Sequence, residues 1–215
     1  MKPQVTDWNQ LAGIRPPSWF TRVYFHNQLY AAYRRLLRHA ALAGPLAVIE
    51  LGAGTGYTSL CLAHQFCIEQ LVLVDNSPAM LSVARQVLAP AGCLTEFRLQ
   101  DLTTYDPTEQ FDLVHSSGVL EHFPAPARHN LLRLHANLAK PGGYCILFVP
   151  TPTVVYRAVR RLAELLGIWP FYDETPLSAA QLIAEIRAAG LEVLASTLLW
   201  SHHLPQIGVL ARNPG

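Results

Sequence analysis

The 215 residues suffice for one domain whose core holds itself together without disulfides or metals. Only 14% are charged, against roughly 25% in an average globular domain, and 51% are apolar or aromatic. An apolar surface is therefore expected at a homo-oligomer interface, a greasy substrate pocket or a membrane-facing patch. Sixteen Lys and Arg against fifteen Asp and Glu leave a net charge of +1, which sets nucleic acid aside as a partner.

The chain starts MKPQVTDWNQ, without the charged-then-apolar layout of a signal peptide, and no stretch approaches about eighteen uninterrupted apolar residues. A cytoplasmic location is the expectation. Cys61, Cys67, Cys93 and Cys145 form no CxxC pair and stand near no His at zinc spacing, so they read as reduced core thiols, with no metal site.

An N-terminal segment carrying Trp8, Trp19, Phe20, Tyr24 and Phe25 leads into a helix from about 21 to 42. Thereafter Val-, Ile-, Leu- and Phe-rich runs alternate with helical patterns, the rhythm of a parallel sheet covered on both faces. Strands are predicted at 46–51, 71–75, 95–99, 111–116, 143–149, 191–199 and 206–211, with helices at 57–66, 78–89, 125–139, 153–166 and 178–189. Gly142 and Gly190 each follow a helical pattern and precede a strand, where a left-handed C-terminal cap belongs. The last two strands are joined too closely for a helical crossover, so the final strand should run antiparallel.

The predicted fold class is α/β, a doubly wound, seven-stranded, mostly parallel sheet with an antiparallel last strand and helices on both faces. Within a single domain spanning 1–215, residues 1–44 would form an N-terminal helical lid, 45–150 the cofactor-binding core, 150–177 a substrate lid, and 178–215 the closing helix and hairpin.

The first strand runs into Glu50-Leu51-Gly52-Ala53-Gly54-Thr55-Gly56 and directly on into a helix. Glycines let the backbone approach a ligand closely, in the crevice beyond the strand ends where open α/β sheets bind ligands. The dinucleotide fingerprint G-x-G-x-x-G fits poorly, because its third position is Tyr57, with Gly56 one residue early. Glu50 would moreover repel a pyrophosphate and favour a sulfonium or ammonium. The second strand ends in Asp75, suited to a ribose diol, and the third leads to Asp101, placed to meet an adenine edge. Singly, each residue could serve only a turn or a cap.

With these motifs in that order, residues 46–149 resemble the class I methyltransferases, in particular the small-molecule group similar to ubiquinone and menaquinone biosynthesis methyltransferases. The resemblance implies S-adenosyl-L-methionine as cofactor, with Gly52, Ala53, Gly54 and Gly56 along its methionine part and Glu50 orienting that loop through its amino group or a water. It also implies Asp75 on the ribose, Asn76 beside the adenine, Asp101 accepting from the adenine amino group, and the Leu102 N–H donating to the ring. Ser116 and Ser117 would offer backbone carbonyls.

Such chemistry needs a base only where the methyl acceptor holds a proton it will not lose unaided. His122 is the first candidate and Glu121 its neighbour, in VLEHF after the fourth strand. His115 reads as a core histidine, while His129 and His135 read as solvated helix positions. Trp19, Phe20, Tyr24, Phe25, Tyr156, Trp169, Phe171 and Tyr172 would wall an apolar pocket for a small-molecule acceptor. His202, beside His203 in the last connection, is expected to bind the substrate as well, and Asp173 and Glu174 would hold an amine or hydroxyl.

The helix at 153–166 sets Val154, Val155, Ala158, Val159, Leu162, Leu165 and Leu166 against Arg157, Arg160 and Arg161. Its expected arrangement packs the apolar side on the sheet, the alternative being peripheral contact with an anionic membrane. A same-fold enzyme that moves another group from the sulfur, or a non-catalytic cofactor binder, would share all these residues.

Overall fold

The computed structural model describes residues 6–12, 19–201 and 204–215, with side chains described throughout except at 19–26 and 201. The strands are β1 (Leu46–Leu51), β2 (Ile68–Asp75), β3 (Leu94–Leu99), β4 (Phe111–Ser117), β5 (Ala139–Pro150), β6 (Glu192–Ser201) and β7 (Leu204–Arg212). The helices are α1 (Trp8–Ala12), α2 (Trp19–Leu37), α3 (Tyr57–Ala63), α4 (Pro78–Leu88), α5 (Ala125–Leu138), α6 (Val154–Leu165) and α7 (Ala179–Ala188). They make one seven-stranded sheet of order β3-β2-β1-β4-β5-β7-β6. β1 pairs in parallel with β2 and β4, and β2 with β3 and β4 with β5 likewise, while β7 runs antiparallel to both β5 and β6. The predicted reversal of the last strand is therefore present.

Successive side chains of a strand point to opposite faces, and here both faces are apolar. Ile49, Val72, Val74, Val114, Leu147 and Val209 pack on one side with Leu131 of α5 and Leu182 and Ile186 of α7. Their neighbours Val48, Leu71, Leu73, Leu113, Ile146 and Leu210 pack on the other with Leu29, Tyr33 and Leu36 of α2, Leu62 of α3 and Leu81 of α4. The uninterrupted apolar runs are what covering on both faces requires.

Several expectations need correction. α2 ends at Leu37 and not near 42, because the chain tightens there, with the His39 N–H donating to the Leu36 carbonyl. His135 is fully buried: its Nδ1 lies 2.7 Å from the Leu131 carbonyl and its Nε2 2.9 Å from the Ser116 hydroxyl. Cys67 is exposed and Cys93 half-buried, whereas Cys61 and Cys145 lie in the core as read. His115 is buried as read, within reach of the Tyr33 hydroxyl at 3.2 Å and the Ser59 hydroxyl at 3.3 Å.

The largest departure is α6. Tyr156 is its buried residue, and Arg160 turns inward to donate to the Tyr156 hydroxyl and the Glu174 carbonyl, its guanidinium 5.5 Å from the Trp169 ring centre. Val154, Val155, Leu162, Leu165 and Leu166 are exposed. The tyrosine and the half-buried arginine satisfy each other, so the face that meets the body of the protein is the one carrying Tyr156, Val159, Arg160 and Ala163, and not the Val154, Leu162 and Leu165 side.

Candidate active site

The carboxyl ends of β1, β2, β3 and β4 converge on a cavity of about 550 Å³ at the point where the strand order reverses between β1 and β4. A switch point of this kind is where open α/β sheets leave a crevice, and the volume lies within the roughly 300–1,000 Å³ of small-molecule sites.

The glycine turn is built by backbone necessity. Gly52 and Gly54 have φ of +66° and +50°, and both line the cavity. A Cβ on Gly52 would stand 2.4 Å from Val119 Cγ2, whereas one on Gly54 would meet nothing within 4 Å. Gly54 therefore presents open backbone to whatever enters. Gly56, also predicted to touch the cofactor, is not brought to the cavity: its Cβ position is hemmed in by Ala84, Leu88 and Leu73, so it permits close packing of turn, α4 and β2.

Two carboxylates hold this turn. Asp75 Oδ2 accepts from the Gly54 N–H and Oδ1 from the Ser77 N–H, each at 2.8 Å, tying the first turn to the second. Asp75 is not the cap of α4; Ser77 is, accepting from the Met80 N–H. Burial pushes the Asp75 carboxyl above its ordinary range despite these donors. Glu50 accepts from the hydroxyls of Thr58 and Ser59 at the start of α3, and burial raises its pKa to about 7.

Ala53, Asn76, Asp101, Leu102 and Ser117 also line the cavity, as the sequence led one to expect. Asp101 Oδ1 accepts from the backbone and hydroxyl of Thr103. Ser116 is not brought in, its side chain being turned into the core toward His135.

On the far wall stands His122. Its Nδ1 lies 2.9 Å from Asp173 Oδ1, and Trp8 meets its ring edge-on at 5.0 Å between centres. Thr6 donates to Asp173 through both its hydroxyl and its backbone N–H. Burial lowers the His122 pKa, and Asp173 only partly offsets that. Burial would raise Asp173, but the hydrogen bonds from Thr6 and His122 outweigh it and hold the carboxyl below its ordinary value. An ionised carboxylate can only accept, so the neutral imidazole carries its proton on Nδ1 and keeps the Nε2 lone pair available.

Glu121 faces the other way. It is buried beneath the turn Leu120–His122 and outside the cavity lining. Burial, with Glu174 and Asp173 nearby, pushes its carboxyl well above the ordinary range, and burial lifts Glu174 to about 7. The expected catalytic neighbour of His122 is thus a core group that does not face the cavity. Tyr156 is buried against Arg160, and Tyr172 lines a separate shallow pocket with Arg160 and Trp169; neither reaches the cavity. The side chains of Trp19 and Tyr24, and His202 and His203 entirely, lie outside the described residues.

Thr6, Trp8, Leu29, Met80 and Phe123 also line the cavity, unforeseen in that role. Asp7, whose carboxylate accepts from the Asn9 and Gln10 N–H groups, starts α1, and Asn9 in turn accepts from the Ser77 hydroxyl. An acidic residue followed by a short helical turn was the available signal.

Residues 48–143 match the methyltransferase domain family. Trans-aconitate 2-methyltransferase of Methylobacterium radiotolerans is 30% identical over 83% of this chain and 63% of its own length. Ubiquinone biosynthesis O-methyltransferase of Stutzerimonas stutzeri is 37% identical over 49% of this chain and 44% of its own length. Among solved structures, magnesium protoporphyrin IX methyltransferase from Synechocystis PCC 6803 with bound SAH superposes with a TM-score of 0.71 at 20% identity, covering 95% of this chain and 92% of that one. The chain has the fold of the class I methyltransferases, and its match to the methyltransferase domain family covers residues 48–143. It spans less than two thirds of the length of these curated relatives.

Proposed function

We propose that this chain transfers the methyl group of S-adenosyl-L-methionine to a small apolar or aromatic acceptor, and that His122 takes up the acceptor's proton. The observation that carries the reading is the pairing of His122 with Asp173 on the wall of the same cavity as the glycine turn, Asp75 and Asp101.

In this reading Gly52, Ala53 and Gly54 lie along the methionine part of the cofactor, and Glu50 stiffens their turn through Thr58 and Ser59. Asp75 receives the ribose hydroxyls, Asn76 borders the adenine, and Asp101 and the Leu102 N–H meet its edge. A Ser117 carbonyl faces the amino group. The cofactor supplies an electrophilic methyl carbon on a positive sulfur. His122 Nε2, its lone pair free, would take up the proton that the acceptor gives up as it receives the methyl group. Asp173 fixes the ring and Trp8 limits water. The apolar lining from Trp8, Leu29, Met80, Val119 and Phe123 favours a greasy acceptor over a charged one.

Calorimetry with S-adenosyl-L-methionine tests the cofactor half. Asp75→Ala also frees the Gly54 N–H, so Asp101→Ala is the cleaner variant, since it touches only its own loop. Asp75→Ala should weaken binding by at least about ten-fold and Asp101→Ala by about three- to ten-fold. Undiminished binding in both would overturn the assignment. Release of S-adenosylhomocysteine in step with a methylated phenol tests the transfer; its absence, with another part of the sulfur chain consumed, would replace methyl transfer by the transfer of a different group.

A further inference from the structure

Helix α6 turns its apolar side to solvent. Val154, Val155, Leu162, Leu165 and Leu166, with Ile168 just beyond, are all exposed, Val154 at 84% and Leu165 at 71%. At about 100° per residue the five on the helix fall within an arc of roughly 120°. Single exposed leucines are ordinary; a contiguous face of them is not.

The flank of that face is basic. Arg157 and Arg161 are exposed. Arg160, by contrast, is engaged with Tyr156, Glu174 and Glu164, so the one carboxylate of the helix is already held, at 2.8 Å. An outward apolar stripe bordered by two arginines that make no ion pair among the described residues matches a surface that is greasy inside and negative outside.

We propose that α6 rests on an anionic lipid bilayer, its apolar face in the boundary of the acyl chains and Arg157 and Arg161 at the headgroup phosphates. A second copy of the chain fits this face less well. A two-fold pairing would gather the Arg157 and Arg161 side chains of both copies along one seam, where the only helix carboxylate, Glu164, is bound to Arg160. The bilayer supplies the missing negative charge. No helix among the described residues is long and apolar enough to cross a membrane, so the attachment is peripheral.

The site is well placed for such a surface. α6 begins four residues after β5 ends, at the end of the sheet where the cavity opens, and the chain continues from α6 through Trp169 and Phe171 to Asp173 on the cavity wall. The docking surface goes beyond the catalytic reading and does not depend on it.

Co-sedimentation of the full chain with phosphatidylcholine vesicles, with and without phosphatidylglycerol, is the test. Binding should require phosphatidylglycerol and weaken at high salt. Leu162→Glu combined with Leu165→Glu should lower the partition coefficient by about ten-fold or more, and Arg157→Gln and Arg161→Gln by about five-fold each. Thermal melting of each variant by near-ultraviolet circular dichroism serves as the control for folding, because none of these side chains lines the cavity. Wild type that ignores both vesicles, or folded variants that sediment as it does, would overturn the proposal. So would a dimer in light scattering that Leu162→Glu dissolves, which would assign the face to a second copy.

Discussion

His122 and Asp173 are 51 positions apart, and their hydrogen bond decides what the imidazole can do. With Asp173 ionised, the proton sits on Nδ1 and the ring is neutral near pH 7, since burial lowers its pKa and the carboxylate only partly restores it. Removing the carboxylate while keeping the shape, as in Asp173→Asn, takes away the influence that raises the pKa. The His122 titration seen by NMR should therefore move to still lower pH, not higher. The amide can also present its oxygen or its nitrogen to Nδ1, so the tautomer is no longer fixed, and methylation of a simple phenol should slow by about 100-fold with cofactor affinity unchanged. A His122 midpoint above 6.5 in the wild type, or a rise in Asp173→Asn, would remove the basis for this role. At this scale the sequence was informative at and just beyond the strand ends: Gly52, Gly54, Asp75 and Asp101 line the cavity where strand periodicity puts them. It read Asp173 as a holder of an amine or hydroxyl and missed its pairing with His122, because nothing local says that residue 173 folds back onto residue 122. It misled on Glu121, because adjacency to His122 in a tight turn sends the two side chains in different directions.

The strand β7 lies between β5 and β6, and Gly208 stands opposite Phe148 in the β5 register. A Cβ at Gly208 would come within 2.3 Å of the Phe148 ring, which is itself buried. Gly208→Ala must displace that ring within a closed core, at a cost of about 1–3 kcal/mol. Gly54→Ala should do the reverse: its Cβ has open space, so packing is spared and only the positive φ costs about 1 kcal/mol, while the methyl occupies the ligand's approach. Urea denaturation and calorimetry together should thus show Gly208→Ala losing stability with cofactor affinity kept, and Gly54→Ala losing affinity with stability nearly kept. Equal effects of both variants on both measurements would refute the division. Element type and order were legible because central strands buried on both faces leave unbroken apolar runs, and glycines mark the exits of β1 and β4. The orientation of α6 was not, because a helical wheel gives two faces without saying which is inward; that was decided by Tyr156, Arg160 and Trp169, whose mutual contacts are tertiary. His135 was read as solvated for a similar reason, its partner being the Ser116 hydroxyl on the neighbouring strand.

Across the whole molecule, buried titratable groups set opposing slopes of stability against pH. His115 and His135 have pKa values pushed down to about 3 and about 4 by burial, so the folded chain keeps both neutral where the unfolded chain, near 6.5, takes up protons. Their contribution is intact above pH 6.5 and is lost as pH falls from there toward 4, on the order of 3 kcal/mol for His135. Glu50 and Glu174, both raised to about 7 by burial, act in the opposite sense: the folded chain holds protons that the unfolded chain releases above about 4.5, so their contribution is intact below 4.5 and is lost as pH rises to 7. Glu121, also raised by burial, adds to the loss on the alkaline side. The two sets overlap between pH 4.5 and 6.5, and the maximum of stability should fall in that window, on the acid side of neutrality. Urea midpoints measured from pH 4 to 8 should show it. His135→Gln should flatten the acid limb by removing one proton from the difference between unfolded and folded states, and Glu174→Gln should flatten the decline toward pH 7 in the same way. A maximum at pH 7.5 or above in the wild type, or limbs unchanged in the two variants, would mean that these side chains do not govern the balance. Because Glu50 and Asp75 both border the cavity, cofactor binding should also steepen or relax the alkaline limb in the wild type, whereas the acid limb, set by histidines in the core, should keep its slope with or without ligand.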